Sequence, residues 1–487
     1  MQNNRSVKFN FIMNFILTAS SFIFPLVTFP YATRILLPEG TGRVAFATSA
    51  VSYFTMFAML GIPTYGVRAC AKVKNDKEEL SRTVHEIMIL NLIMTTLTYI
   101  VFFISLVSVK RFQQDQELLL VSSVAIILHT LGVNWLYQGL EEYAYITVRS
   151  LIFKFIGLIL LFVFVHSSED VMIYGAITVF TGYGSYIWNT LRLRKMIYLK
   201  PCGPYHFRRH LKPIVVFFAM SVATSIYTNL DTVMLGFMNT NTELGYYNAA
   251  VKIKSILVSL ITSLGTVLLP RLSYYYETRQ KDEFMRMISK ALNFVLLLSL
   301  PLSLYFIMFA KESILFLSGE NFLGATYAMQ LITPTLLFIG LTNVLGIQIM
   351  VPMGREKNVL ISVVAGAVID FILNLFWIPR YGAAGAALAT TITEFSVLII
   401  QIIMLRGILK SVYKNVHFLQ IGLALLIAGG FVGLIREKLS GSPFLILLIS
   451  AILFFGIYFL VLLLDREPDV REFLIPYLKK LRKHRKK

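Results

Sequence analysis

Five bases and three acids stand where apolar residues are expected. Arg34, Arg43, Lys154, Lys252 and Lys254 lie within or at the ends of long apolar runs, and so do Asp231, Asp370 and Glu394. A charge inside a bilayer costs roughly 3 to 10 kcal/mol, so a chain that keeps one commonly uses it. Asp370 and Asn374 are i and i+4 and share one helix face. Thr390 follows after the short IPRYGAAG stretch. Oxygen donors from neighbouring helices suit a small hard cation or a proton as coupling ion. They equally suit a buried polar cluster that holds helices together. Asp231 and the two lysines share one stretch, Asn229–Arg271, which reads as two helices joined by a polar turn.

The elements that must position these groups are membrane helices. Of the 487 residues, 56% are hydrophobic and only 15% are charged, where a soluble chain carries about 25%. Mean hydropathy is +0.71. Apolar runs of about 20 residues, the length that crosses a bilayer core, recur from end to end. The fold class is therefore an all-α polytopic membrane protein; a barrel would show short alternating segments. About fourteen spans are expected, near 9–33, 44–66, 86–108, 118–140, 147–167, 171–191, 214–237, 246–270, 290–310, 326–350, 358–379, 382–405, 417–435 and 443–464. The fifth must include Lys154 to be long enough. The helix from Ser255 to Leu269 would reach only about 22 Å, so the eighth must start earlier and carry Lys252 and Lys254 into the membrane. At i and i+2 they point about 200° apart on a helix, so both cannot face one cavity.

Most of the 45 Lys and Arg fall in alternate loops, which puts both termini in the cytoplasm. This pattern, without interleaved aromatics, accounts for the net charge of +19 and argues against nucleic acid. The basic end Lys479–Lys487 suits anionic lipid. The N-terminal apolar run is too long for a cleavable signal. Two cysteines, Cys70 and Cys202, are too few for a disulfide framework or metal cluster. The longest expected cytoplasmic loop, 192–212, is about 21 residues, and no phosphate-binding loop motif is present. No catalytic domain fits, so an enzyme is not expected, and no cofactor beyond a sodium ion or proton.

An internal repeat divides the chain. Lys77, Glu79, Leu80 and Arg82 correspond at one constant offset to Lys281, Glu283, Phe284 and Arg286, and EGTGRVAFA corresponds to ELGYYNAA. The unit is six spans, so the repeat is parallel, with binding expected between its halves. The expected divisions are 1–205, 206–410, two added helices at 411–464, and a basic cytoplasmic tail at 465–487.

Five stretches carry a resemblance: TRILLPEGTGRVAFA at 33–47, GIPTYGVRA at 61–69, LDTVMLGFMNTNTELGYYNAAVKI at 230–253, LLPRLS at 268–273 and IPRYGAAGAALAT at 378–390. Through them the chain resembles the polysaccharide transporter family of the multidrug/oligosaccharidyl-lipid/polysaccharide exporter superfamily. The resemblance implies two six-helix lobes around a central cavity and two further helices. It also implies a monomer in a bacterial cytoplasmic membrane that flips undecaprenyl-pyrophosphate-linked oligosaccharide by alternating access. Membrane lipids, a polysaccharide polymerase and glycosyltransferases are the implied partners. A teichoic acid chain flippase of the same build is an alternative. A multidrug cation antiporter is disfavoured, because the first half offers bases rather than acids.

That cargo carries a pyrophosphate, whose desolvation must be offset by fixed cations. The resemblance places a base at Arg34, after a helix weakened by Pro25 and Pro30, and another at Lys252, ahead of Pro270 and Arg271. Arg43, Lys154 and Lys254 complete the expected cationic set. Some superfamily members build a sodium site from spans seven, eleven and twelve. The matching residues are Asp231, Asp370, Asn374 and Thr390, with the order of acid and amide reversed here, and Glu394 stands nearby. His129 is expected to be an ordinary core histidine.

Overall fold

Prolines and glycines decide where these long helices break. The structure is a computed structural model that describes residues 7–412, 417–465, 467 and 468. The expected tail from 469 onward lies outside the described residues. Among the described residues there is no strand; the expected spans fall mainly on helix, but span two crosses the turn at Leu60–Gly61 and span four the break at Gly132–Val133. Nine helices there are long and apolar enough to cross a membrane, or ten with one bent pair. The chain packs as two units, Met1–Gly245 and Tyr246–Lys487.

The first unit holds α1 (Val7–Met59), α2 (Ile62–Lys72), α3 (Lys77–Ser108), α4 (Lys110–Gln114), α5 (Gln116–Leu131), α6 (Asn134–Gly139), α7 (Tyr143–Phe164), α8 (Val171–Val179), α9 (Tyr186–Met196) and α10 (Arg208–Met238), and ends in the first turns of α11 (Asn241–Glu277). The helix α1 packs against α3, α5, α7, α8 and α10. It carries spans one and two and breaks between them at Leu37 (φ 61°, ψ 176°). Leu37 precedes Pro38, and the ring of a proline disfavours helical backbone in the residue before it. Pro25 and Pro30, expected to weaken the helix, lie inside it without a break. Leu60 and Gly61 turn the chain from α1 into α2 with positive φ. Asp76 starts α3 by accepting the backbone N–H of Glu78 and Glu79 at 2.9 and 3.0 Å, which satisfies two otherwise orphaned donors.

The packing boundary falls after span seven, not before it. The repeat put span seven at the head of the second half; in the structure α10 packs on α1 and α2. The two repeat-related turns also meet here. A Cβ on Gly42 would collide with the Asn241 carbonyl, and one on Gly245 with the Pro38 carbonyl. Glycine at both positions lets the two backbones touch.

The second unit continues α11 and adds α12 (Lys281–Met308), α13 (Ala310–Ser318), α14 (Ala325–Ile332), α15 (Thr335–Thr342), α16 (Glu356–Met404), α17 (Arg406–Val412), α18 (Phe418–Ile435) and α19 (Pro443–Leu464). Spans eleven and twelve are the two arms of α16, bent at Gly382 (φ 52°, ψ −127°). Beyond the bend Ala383, Gly385, Ala386, Ala387 and Ala389 are buried. This small-residue run lets backbones approach closely: a Cβ on Gly385 would strike the Trp377 carbonyl. The two added helices pack against α12. Ala424, Ala428 and Val432, at i, i+4 and i+8, meet Phe454, Tyr458 and Leu462 over Tyr305 and Phe309. Hydrogen bonds tie them to α12 as well: Tyr458 donates to the Leu297 carbonyl at 3.2 Å and Tyr305 to that of Leu447 at 2.7 Å.

Candidate functional site

The oxygen cluster on α16 is built by the Gly382 bend. Asp370 and Asn374 are on the first arm; Thr390, Thr393 and Glu394 are on the second, and all five are buried. Asn374 Nδ2 donates to Asp370 Oδ2 at 3.1 Å, and the Thr393 hydroxyl donates to Asp370 Oδ1 at 3.1 Å. Thr390 donates to the Ala386 carbonyl at 2.9 Å, and its hydroxyl lies 3.2 Å from that of Tyr247 on α11. Thr393 and Tyr247 were not anticipated. Thr393 sits one residue before Glu394 and three after Thr390, so the TTITE spacing places it on the same helix face. The donors are all oxygen, which fits a small hard cation or a proton and not a soft metal. Among the described residues no three His, Cys, Asp or Glu side chains group to hold a metal. Asp231, grouped with this cluster from the sequence, lies half-buried on α10 in the first unit.

The expected cations are distributed over both units. Lys252 and Lys254 lie on α11 in the second unit, both half-buried. Arg34 is exposed on α1, three residues ahead of the Leu37 break, and donates to the Pro30 carbonyl at 2.7 Å. Lys154, midway along α7, donates to the hydroxyls of Ser20 and Ser21 on α1 at 2.7 and 3.1 Å. Neutral partners leave its positive charge uncompensated by those bonds. Arg43 differs: its Nε sits 2.5 Å from Asp115 Oδ1, and Arg111 takes the other oxygen of that buried carboxylate at 2.8 Å. Arg43 thus shares the one carboxylate of Asp115 with Arg111. His129 lies against the rings of Tyr183 and Tyr186, with centroids 5.6 Å from each, but its buried Nδ1 has no hydrogen-bond partner among the described residues.

Besides Asp115, other buried charged groups escaped the sequence reading, Arg149 and Glu86 among them. Arg149 is buried on α7, donating to Ser185 Oγ at 3.0 Å and Asn134 Oδ1 at 2.8 Å and lying over the rings of Tyr145 and Tyr186. Glu86, fully buried on α3, accepts from the His206 backbone at 2.6 Å, from Arg209 at 2.7 and 2.9 Å and from His210 Nε2 at 2.5 Å. The other nitrogen of His210 lies 2.6 Å from the Tyr65 hydroxyl. Buried acids are thus not confined to the second half of the chain. The signal that could have found this network is the run Arg208–Arg209–His210 at the mouth of a span, which needs a buried acid to pair with.

Against this geometry stand the comparisons with known proteins. The family model described as polysaccharide biosynthesis protein matches residues 7–276, and the MatE model matches residues 217–376. A putative O-antigen transporter of Escherichia coli strain K12 is 23% identical, the match covering 83% of this chain and 98% of that one. The putative O-antigen transporter of Shigella dysenteriae is 27% identical, over 82% and 100%. Among solved structures, the lipid II flippase MurJ in an inward closed conformation has a TM-score of 0.75 at 17% identity, covering 96% of this chain and all of that one. An inward-facing multidrug resistance MATE family transporter reaches 0.65 at 14% identity, covering 83% and 99%. At these identities the two structures speak for the fold.

Proposed function

Since the chain belongs to the polysaccharide biosynthesis protein family, we propose that it is a secondary transporter that flips lipid-linked oligosaccharide units across the membrane for surface polysaccharide synthesis. The observation that carries this reading is the likeness to O-antigen transporters along nearly their full length. The fold agrees with it, because the described chain is membrane helix joined by short turns, in the fold of the flippase and MATE structures above. The carrier lipid in this reading is undecaprenyl pyrophosphate. Arg34, Lys154 and Lys252 are the groups that would offset the charge of its pyrophosphate; Lys254, on the opposite side of α11, would not face the same cavity. Charge-assisted hydrogen bonds to phosphate are roughly twice as strong as neutral ones.

Coupling belongs to the second unit in this account. Asp370, with Asn374, Thr390, Thr393 and Glu394, would hold a sodium ion or a proton. Such an ion would neutralise Asp370 and so change which helix arrangement is favoured; a ligand shifts a conformational equilibrium only by its differential affinity for the two states. Alternating access then carries the glycan from the cytoplasmic leaflet to the outer one. Deleting the gene in its own host should stop surface polysaccharide display while lipid-linked units accumulate inside. Unchanged display would overturn the reading.

A further inference from the structure

The first unit contains an open cleft of about 640 Å³ beside the α1 break, α4 and the turn from α10 to α11. This is within the roughly 300–1,000 Å³ range of small-ligand sites. The charge distribution of the loops puts it on the outer side of the membrane. None of its lining residues belongs to the cation or ion sets above.

Its floor is fixed by Arg111. The guanidinium donates to the Gly236 carbonyl at 2.7 Å, to Asp115 at 2.8 Å, to Gln114 Oε1 at 3.1 Å and to Asn241 Oδ1 at 2.5 Å, and it lies 4.2 Å over the Phe46 ring. With these bonds made, Arg111 is a structural brace and not an anion trap. The walls carry groups of mixed kind: the carboxylate of Glu39, the ammonium of Lys110, the amide of Gln114, the hydroxyls of Thr240 and Thr242, and the exposed ring of Phe237. A carboxylate only accepts hydrogen bonds, an ammonium only donates them, and amides and hydroxyls do both. An anion would meet Glu39. A neutral polyol, whose hydroxyls both donate and accept, can satisfy the whole set while its C–H face covers Phe237.

We propose that this cleft binds an uncharged sugar ring of the transported glycan at the outer face. Its assignment to the cargo rests on the flippase reading above; the binding itself does not.

Saturation-transfer NMR on the full chain in nanodiscs, with glucose and N-acetylglucosamine as probes, tests it. Wild type should give a sugar signal that falls at least fivefold in Thr240→Trp, which fills the cleft, and in Gln114→Ala, which removes an exposed amide of the lining and leaves Arg111 its bonds to Gly236, Asp115 and Asn241. No signal from wild type, or equal signals from wild type and Gln114→Ala, would overturn the proposal. So would displacement of the sugar by inorganic phosphate, which would make the cleft an anion site. Sugar binding combined with unchanged polysaccharide display in the deletion strain would sink the flippase reading and the cargo assignment with it. Display that depends on the chain, without sugar binding, would overturn the cleft alone.

Discussion

The hydroxyl of Thr393 donates to Asp370 Oδ1 at 3.1 Å, joining the two arms of one bent helix across 23 residues of chain. Asn374 holds the other oxygen of the same carboxylate. A hydrogen bond to a charged group contributes about 1.5–3 kcal/mol, so in the proposed coupling site the pair would set how readily Asp370 takes or gives up a cation.

The first prediction follows from that pair. Asp370→Asn should leave a folded protein whose transport no longer responds to sodium or pH. Thr393→Ala should shift the half-saturating ion concentration by about tenfold or more, the equivalent of one such bond. Transport assays across a sodium series and a pH series would measure both. An unchanged ion response in Asp370→Asn would count against a coupling site here.

The cations should behave differently. Lys252→Ala or Arg34→Ala should cut export of lipid-linked glycan at least tenfold, the loss expected when one charge-assisted contact worth about 1.5–3 kcal/mol disappears, while membrane levels of the protein stay normal. Immunoblots of membranes alongside surface polysaccharide staining separate the two effects. Arg43→Ala should act mainly on stability, since its guanidinium already holds Asp115. Normal display in the Lys252 and Arg34 variants would remove both from the cargo path.

Backbone contact between the repeat-related turns makes a third prediction. Gly245→Ala places a methyl against the Pro38 carbonyl, and backbone atoms cannot swing aside as a side chain can. Overpacking of this kind costs typically 1–3 kcal/mol. A lowered thermal unfolding midpoint is expected, together with slower transport. Gly407→Ala is the control, because a Cβ there meets nothing within 4 Å. Equal midpoints for the two variants would contradict the close approach.

Glu86 makes a fourth. Removing one partner of a buried ion pair costs about 3–5 kcal/mol, and Glu86 is buried among Arg209, His210 and the His206 backbone. Glu86→Ala should therefore reduce the unfolding midpoint strongly and lower the amount of protein in membranes. Glu86→Gln keeps an acceptor for the His206 N–H and should cost less. Scanning calorimetry or a fluorescence-based melt on purified protein would rank the three forms.

The membrane helices were legible because a bilayer demands long uninterrupted apolar runs, and nothing else in this composition produces them. A break between spans one and two was legible as well; its place at Leu37 was not. Phe24, Phe29 and Leu37 all precede a proline and carry the same local signal, yet only Leu37 leaves the helix. What distinguishes it is the neighbouring turn, where Gly245 presses on the Pro38 carbonyl, a contact distant in sequence. Asp370 with Asn374 was readable from i, i+4 spacing. Its bond to Thr393 was hidden, because it depends on the positive φ of Gly382, which only the folded bend reveals. Glu86 was passed over because a lone acid at a span edge looks like a solvated end until the Arg209 and His210 side chains, more than 120 residues later, are seen to reach it.

The most direct test of the flippase account is reconstitution. Purified full-length protein is placed in liposomes that contain a polyprenyl-pyrophosphate-linked oligosaccharide, and a membrane-impermeant glycosidase is added outside. The account predicts that the enzyme eventually cleaves the whole glycolipid pool, at a rate that falls sharply with Lys252→Ala. If cleavage stops at the share that began in the outer leaflet, as in protein-free liposomes, the account is contradicted.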